Sequence, residues 1–145
     1  MTQLSLFARS SGRGAIANID GGSRGNPGPA GYGVRIEKDD GSVVELKQAI
    51  AHATNNIAEY NGLLAALRWA AENGVDTLHI RSDSELLVRQ MNGLYRVKNP
   101  GLQPLYEEAR ALARQIGQVK FEHVRRELNR EADRLANEAM DEAAE

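Results

Sequence analysis

The chain has 145 residues, of which 41% are hydrophobic and 26% charged, and it carries a formal net charge of -2. That length suits one domain with a real core and excludes two. With no cysteine there is no disulfide framework, no thiolate metal site and no thiol nucleophile. No run of 18 apolar residues marks a membrane span. The slightly acidic balance speaks mildly against a nucleic-acid partner, since phosphate binding leaves a basic signature. Two bound divalent ions would add four charges and take -2 to +2. Arg24, Arg96, Lys98, Arg125, Arg126 and Arg130 are the candidates for a local basic surface.

Met1 to Gly14 contains Leu4 and Phe7 but no long apolar core, so it lacks the pattern of a secretory leader. Its Ser-Ser-Gly-Arg-Gly end predicts a flexible lead-in over 1–14, with the domain over 15–145 and the cytoplasm as the default compartment.

Ala15 to Ile19 is an apolar run and predicts a buried strand ending at Asp20. The stretch from Gly21 to Gly31 is crowded with glycine and proline and reads as a tight, backbone-exposing turn. An acid at the end of a buried strand is costly unless compensated. Metal coordination is one remedy and hydrogen bonding from the loop amides is another; this stretch alone does not choose between them. Tyr32, Val34 and Ile36 alternate with Gly33, Arg35 and Glu37, the period of a half-buried strand. Asp39-Asp40-Gly41 predicts a hairpin turn, and Val43 starts a returning strand that fades near Ala49.

Thr54-Asn55-Asn56 offers polar caps for a helix striped by Ile57, Tyr60, Leu64, Leu67 and Ala71 and stopped at Asn73-Gly74. Glu59 falls in its first turn, where a solvated acid favoured by the helix dipole is the plainest reading. A short strand from Asp76 ends at Asp83, and Ser84 to Asn92 predicts a helix with Leu87, Val88 and Met91 inward. Strand-helix-strand order favours parallel pairing. Leu102 to Ile116 predicts another helix, and Val119 to Val124 the last strand, with His123 on the face of Val119 and Phe121 as a strand-end histidine with a structural partner. The final helix, from about Leu128 to Met140, carries an apolar stripe of Leu128, Ala132, Leu135, Ala136 and Ala139. Asp133 lies beside that stripe, with Asn129 and Asn137 four residues either side on the same flank.

Four acids from four elements stand out: Asp20, Glu59, Asp83 and Asp133. Strand one beside strand four would bring Asp20 and Asp83 together. Hard divalent cations take oxygen ligands of this kind. Two such ions about 3.5–4 Å apart can clamp the attacking and leaving oxygens of a phosphodiester displacement.

Four segments carry a resemblance: Asp20-Gly21-Gly22-Ser23-Arg24-Gly25-Asn26-Pro27-Gly28, Thr54-Asn55-Asn56-Ile57-Ala58-Glu59, Ser82-Asp83-Ser84, and Asn129-Arg130-Glu131-Ala132-Asp133-Arg134-Leu135-Ala136. In this order, over about Ala15 to Met140, they resemble type 1 ribonuclease H. The resemblance implies an α/β fold with a five-stranded mixed sheet, order 3-2-1-4-5, flanked by helices. It implies hydrolysis of the RNA strand of an RNA–DNA hybrid, leaving 5′-phosphate and 3′-hydroxyl ends. It makes Asp20, Glu59, Asp83 and Asp133 the catalytic acids holding two Mg2+ ions, with Mn2+ as a substitute. It assigns substrate contacts to Gly21, Ser23, Asn26, Thr54, Asn55, Asn56 and Ser84, with Thr54 and Asn26 toward a DNA-strand phosphate. A monomer with a hybrid partner and no membrane partner is expected.

Three departures from the family pattern are visible. Only Gly93 to Gly101 joins the third-acid helix to the next, where many members insert a basic segment. The loop Arg125-Arg126-Glu127 holds no histidine, and Glu85 stands where many relatives have glutamine. Integrase-like and resolvase-like nucleases, a non-catalytic hybrid-binding module and a structural α/β domain are the competing readings. The asparagine-rich segments favour a hybrid over the first, and four clustered acids argue against the second.

Overall fold

The computed structural model describes residues 13–145; most of the expected lead-in lies outside them. The strands are β1 (Gly14–Ser23), β2 (Gly28–Lys38), β3 (Val43–Ala53), β4 (Thr77–Ser82) and β5 (Gln118–His123). The helices are α1 (Asn55–Glu72), α2 (Glu85–Met91), α3 (Gln103–Ile116) and α4 (Arg130–Ala144). The strands form one mixed sheet in the order β3-β2-β1-β4-β5. β1, β2 and β3 pair antiparallel; β4 joins β1, and β5 joins β4, in parallel.

Alternation along each strand sorts the two faces. Ala15, Ala17 and Ile19 of β1, Val34 and Ile36 of β2, and Leu78 and Ile80 of β4 are buried together against α1. From α1 come Tyr60, Leu63, Leu64, Leu67 and Ala70, and α3 adds Ala109 and Ile116. Fully burying a leucine of this kind contributes roughly 1.5–3 kcal/mol. Thr54 caps α1, its Oγ1 accepting from the Ile57 N–H at 3.2 Å. Ser84 caps α2, its Oγ accepting from the Leu87 N–H at 3.2 Å.

The other face of β1, β2 and β3 is covered by α4, through Ala132, Leu135, Ala136, Ala139 and Met140. The glycines of β2 make this contact possible. A Cβ at Gly33 would stand 2.5 Å from the Leu135 Cβ and 2.6 Å from the Ala132 carbonyl oxygen. One at Gly31 would stand 2.5 Å from the Ala139 Cβ.

Three boundaries differ from the sequence expectation. β1 continues through Asp20 to Ser23, because β2 keeps pairing with it as far as Ser23–Ala30. The glycine-rich stretch is therefore part strand, and its true turn is confined to the bend between β1 and β2. β3 runs to Ala53, since its ladder with β2 resumes at Gly28–Ala53 after an irregularity. α4 begins at Arg130, because Arg126–Leu128 forms a 3-10 turn that leaves Leu128 59% exposed while Asn129 is buried. Among the described residues, no helix is long and apolar enough to cross a membrane.

Candidate active site

The parallel register of β1 and β4 creates the site. Their last paired residues are Ile19 and Ser82, so Asp20 and Asp83 follow side by side. β4 stops there, while β1 goes on, paired among the described residues with β2 alone. Asp20 is thus not at a strand end but at the place where one neighbouring strand has ended.

Glu59 arrives from above. It lies beyond the first turn of α1, which starts at Asn55 rather than Ile57. Gly21 lets α1 approach β1: a Cβ there would stand 2.6 Å from the Ala58 carbonyl and 2.7 Å from the Glu59 nitrogen. One carboxylate oxygen each from Asp20, Glu59 and Asp83 lies within 4.8 Å of the others. Asp133, in the first turn of α4, lines the same pocket beside them.

The electrostatics follow from this crowding. Burial, then the Asp83 charge, then the hydrogen bond and charge of Asp133, push the Asp20 carboxyl up to about 8 against a Gly21 backbone bond. Burial and the Asp83 charge push Glu59 up to about 7, opposed by a hydrogen bond with Ser84. Burial raises Asp83 as well, opposed by the Arg126 guanidinium, whose Nε lies 3.9 Å from Asp83 Oδ2. Half-buried carboxylates that resist ionising together need a counter-charge, and an all-oxygen donor set suits a hard divalent cation. Asp20, Glu59 and Asp83 are the residues that would hold it, with Asp133 adjoining.

The acids line a pocket of about 710 Å³ together with Gly21, Gly22, Ser23, Asn55 and Asn56. Asn55 ties the pocket to the turn: its Oδ1 accepts from the Ser23 N–H at 2.8 Å, and its own N–H donates to Asn26 Oδ1 at 2.9 Å. Asn26 and Thr54 sit behind the wall, each bonded to backbone. Ser84 reaches the site through Glu59.

The rest of the pocket is made by Arg24, Arg125 and Arg126, three of the candidate basic residues, by Asn137 from the polar flank of α4, and by His123, which the sequence did not assign to the site. His123 is exposed there, while Val119 and Phe121 of the same strand pack on the core. It is the last β5 residue paired with β4, opposite Ser82, and its position at the end of that strand was the available signal. Of the candidate basic residues, Arg24, Arg125 and Arg126 reach the pocket; Arg96 borders a separate hollow between α2 and α3. Glu85 points along its own helix to Arg89, 2.6 Å away. A more apolar hollow of about 810 Å³ at the opposite end of β1, lined by Ile16, Lys38 and Val119 among others, holds no such acid cluster.

This sheet order, with carboxylates from β1, β4, α1 and α4 meeting where β4 ends, defines a ribonuclease H-like protein. A family model described as "Reverse transcriptase-like" matches residues 18–139. A bifunctional protein of Mycobacterium tuberculosis is 52% identical over 132 residues, 90% of this chain and 36% of its own length. The crystallised N-terminal RNase H domain of that protein superposes with a TM-score of 0.87, covering 91% of this chain and 96% of the domain. Ribonuclease HI of Halobacterium salinarum is 44% identical over 88% of this chain and 64% of its own length. LC11-RNase H1, solved in complex with an RNA/DNA hybrid, has 42% identity and a TM-score of 0.84, covering 90% of this chain and 99% of that one. The chain belongs to the type 1 ribonuclease H family, in a form with a short connection after α2. It spans about a third of the length of its mycobacterial relative and just under two thirds of the halobacterial one.

Proposed function

We propose that this chain is an endonuclease that hydrolyses the RNA strand of RNA–DNA hybrids with two divalent ions, Mg2+ or in substitution Mn2+. The observation that carries this reading is the meeting of Asp20, Glu59 and Asp83 within 4.8 Å in a pocket shared with Asp133. The relative LC11-RNase H1, solved with an RNA/DNA hybrid, supports the substrate.

Bound divalent ions would polarise the scissile phosphate and lower the pKa of the attacking water. The chain's own contribution is position and shape. Asp20, Glu59, Asp83 and Asp133 concentrate negative charge where cations bind. The amides of Asn55 and Asn56, the Ser23 hydroxyl and the backbone of Gly21 offer uncharged donors and acceptors to the minor groove, where 2′-hydroxyls distinguish RNA from DNA. Asn26 and Thr54 hold that wall in shape and stand toward a DNA-strand phosphate, and Ser84 steadies Glu59. Arg24, Arg125 and Arg126 supply the positive rim. Water oxygen bonds to phosphorus, the bond from phosphorus to the 3′ oxygen breaks, and that oxygen takes up a proton. The products carry 5′-phosphate and 3′-hydroxyl ends.

The test is incubation with end-labelled RNA–DNA hybrid, double-stranded RNA and double-stranded DNA, each with Mg2+, Mn2+ or chelator. Cutting of the hybrid's RNA strand only, abolished by chelator, is the expected result. Equal cutting of double-stranded DNA would overturn the substrate assignment.

A further inference from the structure

Asn18 precedes Asp20 by two residues, and its side chain leaves the same face of β1. Its Nδ2 donates to Asn129 Oδ1 at 2.9 Å and reaches the Leu128 carbonyl at 3.4 Å. Asn129 is 1% exposed, one of few buried polar residues. Its Nδ2 donates to the Ile19 carbonyl at 2.8 Å. Its own carbonyl accepts from the Asp133 N–H at 3.0 Å.

These bonds make a closed chain of contacts. β1 holds Asn129 at two points, either side of its amide, and Asn129 in turn holds the first turn of α4. The residue after Ile19 is Asp20, and the residue held through the Asn129 carbonyl is Asp133. The amide has one acceptor and one donor end. With Asn18 donating to its oxygen, its nitrogen is turned to Ile19. A buried amide that lost the Asn18 bond would keep an unsatisfied oxygen and a reason to rotate. Elsewhere α4 is held by apolar packing, by exposed ion pairs such as Lys47 with Glu138 at 3.1 Å and Arg134 with Glu45 at 2.8 Å, and by an exposed Arg24 bonding to Asn137 at 3.3 Å. Apolar packing does not fix the helix by direction, and exposed pairs contribute little.

We infer that Asn18 is a positioning residue for the acidic site: through the Asn129 amide it sets where the first turn of α4 places Asp133 beside Asp20. The inference rests on the metal-dependent reading of the pocket. Asn18 is absent from the pocket wall, so it acts on the acids and not on the hybrid.

The experiment uses Asn18→Ala and Asn18→Thr, the second keeping a residue type that strands favour. Ile116→Val, at the far end of α3, serves as a mildly destabilised control. Mg2+ is titrated twice: against melting temperature without nucleic acid, and against hybrid cleavage. Loss of an outer partner of a metal ligand typically costs 10–100-fold in affinity or activity. Both Asn18 variants are expected to need about tenfold more Mg2+ for half-maximal response in both titrations, at the lower end of that range. Their KM for hybrid should stay within about twofold of wild type, and Ile116→Val should keep the wild-type Mg2+ midpoint. Wild-type Mg2+ midpoints in the Asn18 variants, or an equal shift in Ile116→Val, would overturn the inference. A wild-type protein indifferent to Mg2+ would overturn the metal reading, and the inference with it.

Discussion

Asp20 and Asp133, 113 positions apart in the chain, face into the same pocket, and the Asp133 carboxyl is one of the groups that make Asp20 hard to ionise. Burial first, then the neighbouring Asp83 and Asp133 carboxylates, push the Asp20 carboxyl up to about 8. The cluster is therefore a place where the metal-free fold is working against its own charge.

This sets a pH dependence for stability. A carboxylate whose folded pKa is raised binds more protons folded than unfolded, so its stability contribution is full below the unfolded value and lost as pH rises through the folded one. For Asp20 the window runs from 3.8 to about 8, and for Glu59 from 4.5 to about 7. In chelator, stability attributable to this site should fall between about pH 4 and pH 8. A cation that binds only the folded, ionised site reverses the loss. Mg2+ should raise the melting temperature more at pH 8 than at pH 5, and thermal unfolding at the two pH values reads this directly. An equal or larger shift at pH 5 would contradict the account.

Asp20→Asn removes the charge from the crowded position while keeping its shape. In chelator at pH 8 the variant should melt above wild type, and Mg2+ should give it a smaller further shift. Asp83→Asn should act in the same direction. Scanning calorimetry of the metal-free proteins decides the sign. Variants less stable than wild type in chelator at pH 8 would mean that the acids do not repel.

Gly33→Ala tests how α4 reaches the sheet. The new methyl group would stand 2.5 Å from the Leu135 Cβ, with backbone on its other side, so α4 must move. Overpacking of this sort costs about 1–3 kcal/mol. Urea unfolding should show that loss, and Mg2+ affinity should fall with it because α4 carries Asp133. Gly41→Ala is a contrasting case: no atom lies within 4 Å of its Cβ position, so its cost comes only from the backbone φ of +89°.

Hybrid binding should depend on salt only modestly. Each phosphate contact contributes about -0.9 to the slope of log affinity against log salt on a B-form duplex. The short Gly93–Gly101 connection leaves few cations to make such contacts, chiefly Arg96 and Lys98 besides the pocket rim. A measured slope of roughly -8 or steeper would show a far more basic binding surface than this fold presents.

Most strands and helices were legible from local signals, whereas the sheet order and the roles of the four acids were legible only through the resemblance that the four segments carry. Alternation marked β2, the helical stripe marked α1, and the four segments carried the acids in order. The extent of β1 was not legible, since Gly21 and Gly22 look like turn residues. They are strand residues, and at Gly21 the missing side chain admits α1. Leu128 was read as core on helical spacing, but the 3-10 turn rotates it outward and puts Asn129 inside. Nothing local announces that a polar residue will be buried there. Arg125 and Arg126 were read as candidate basic residues, but their place beside the acids, with His123, was hidden for a similar reason. These residues are near the acids only because β5 pairs with β4, a contact across some forty residues of chain.

The most direct measurement is single-turnover cleavage of an RNA–DNA hybrid labelled on both strands, by wild type and by Asp20→Asn, in saturating Mg2+. The ion supplies several kcal/mol of charge stabilisation, so its loss is worth roughly two orders of magnitude or more in rate. Wild type should cut the RNA label and spare the DNA label, and Asp20→Asn should lose at least about a hundredfold in rate while remaining folded. An Asp20→Asn protein that cuts at the wild-type rate, or a wild type that cuts both strands alike, would contradict the account.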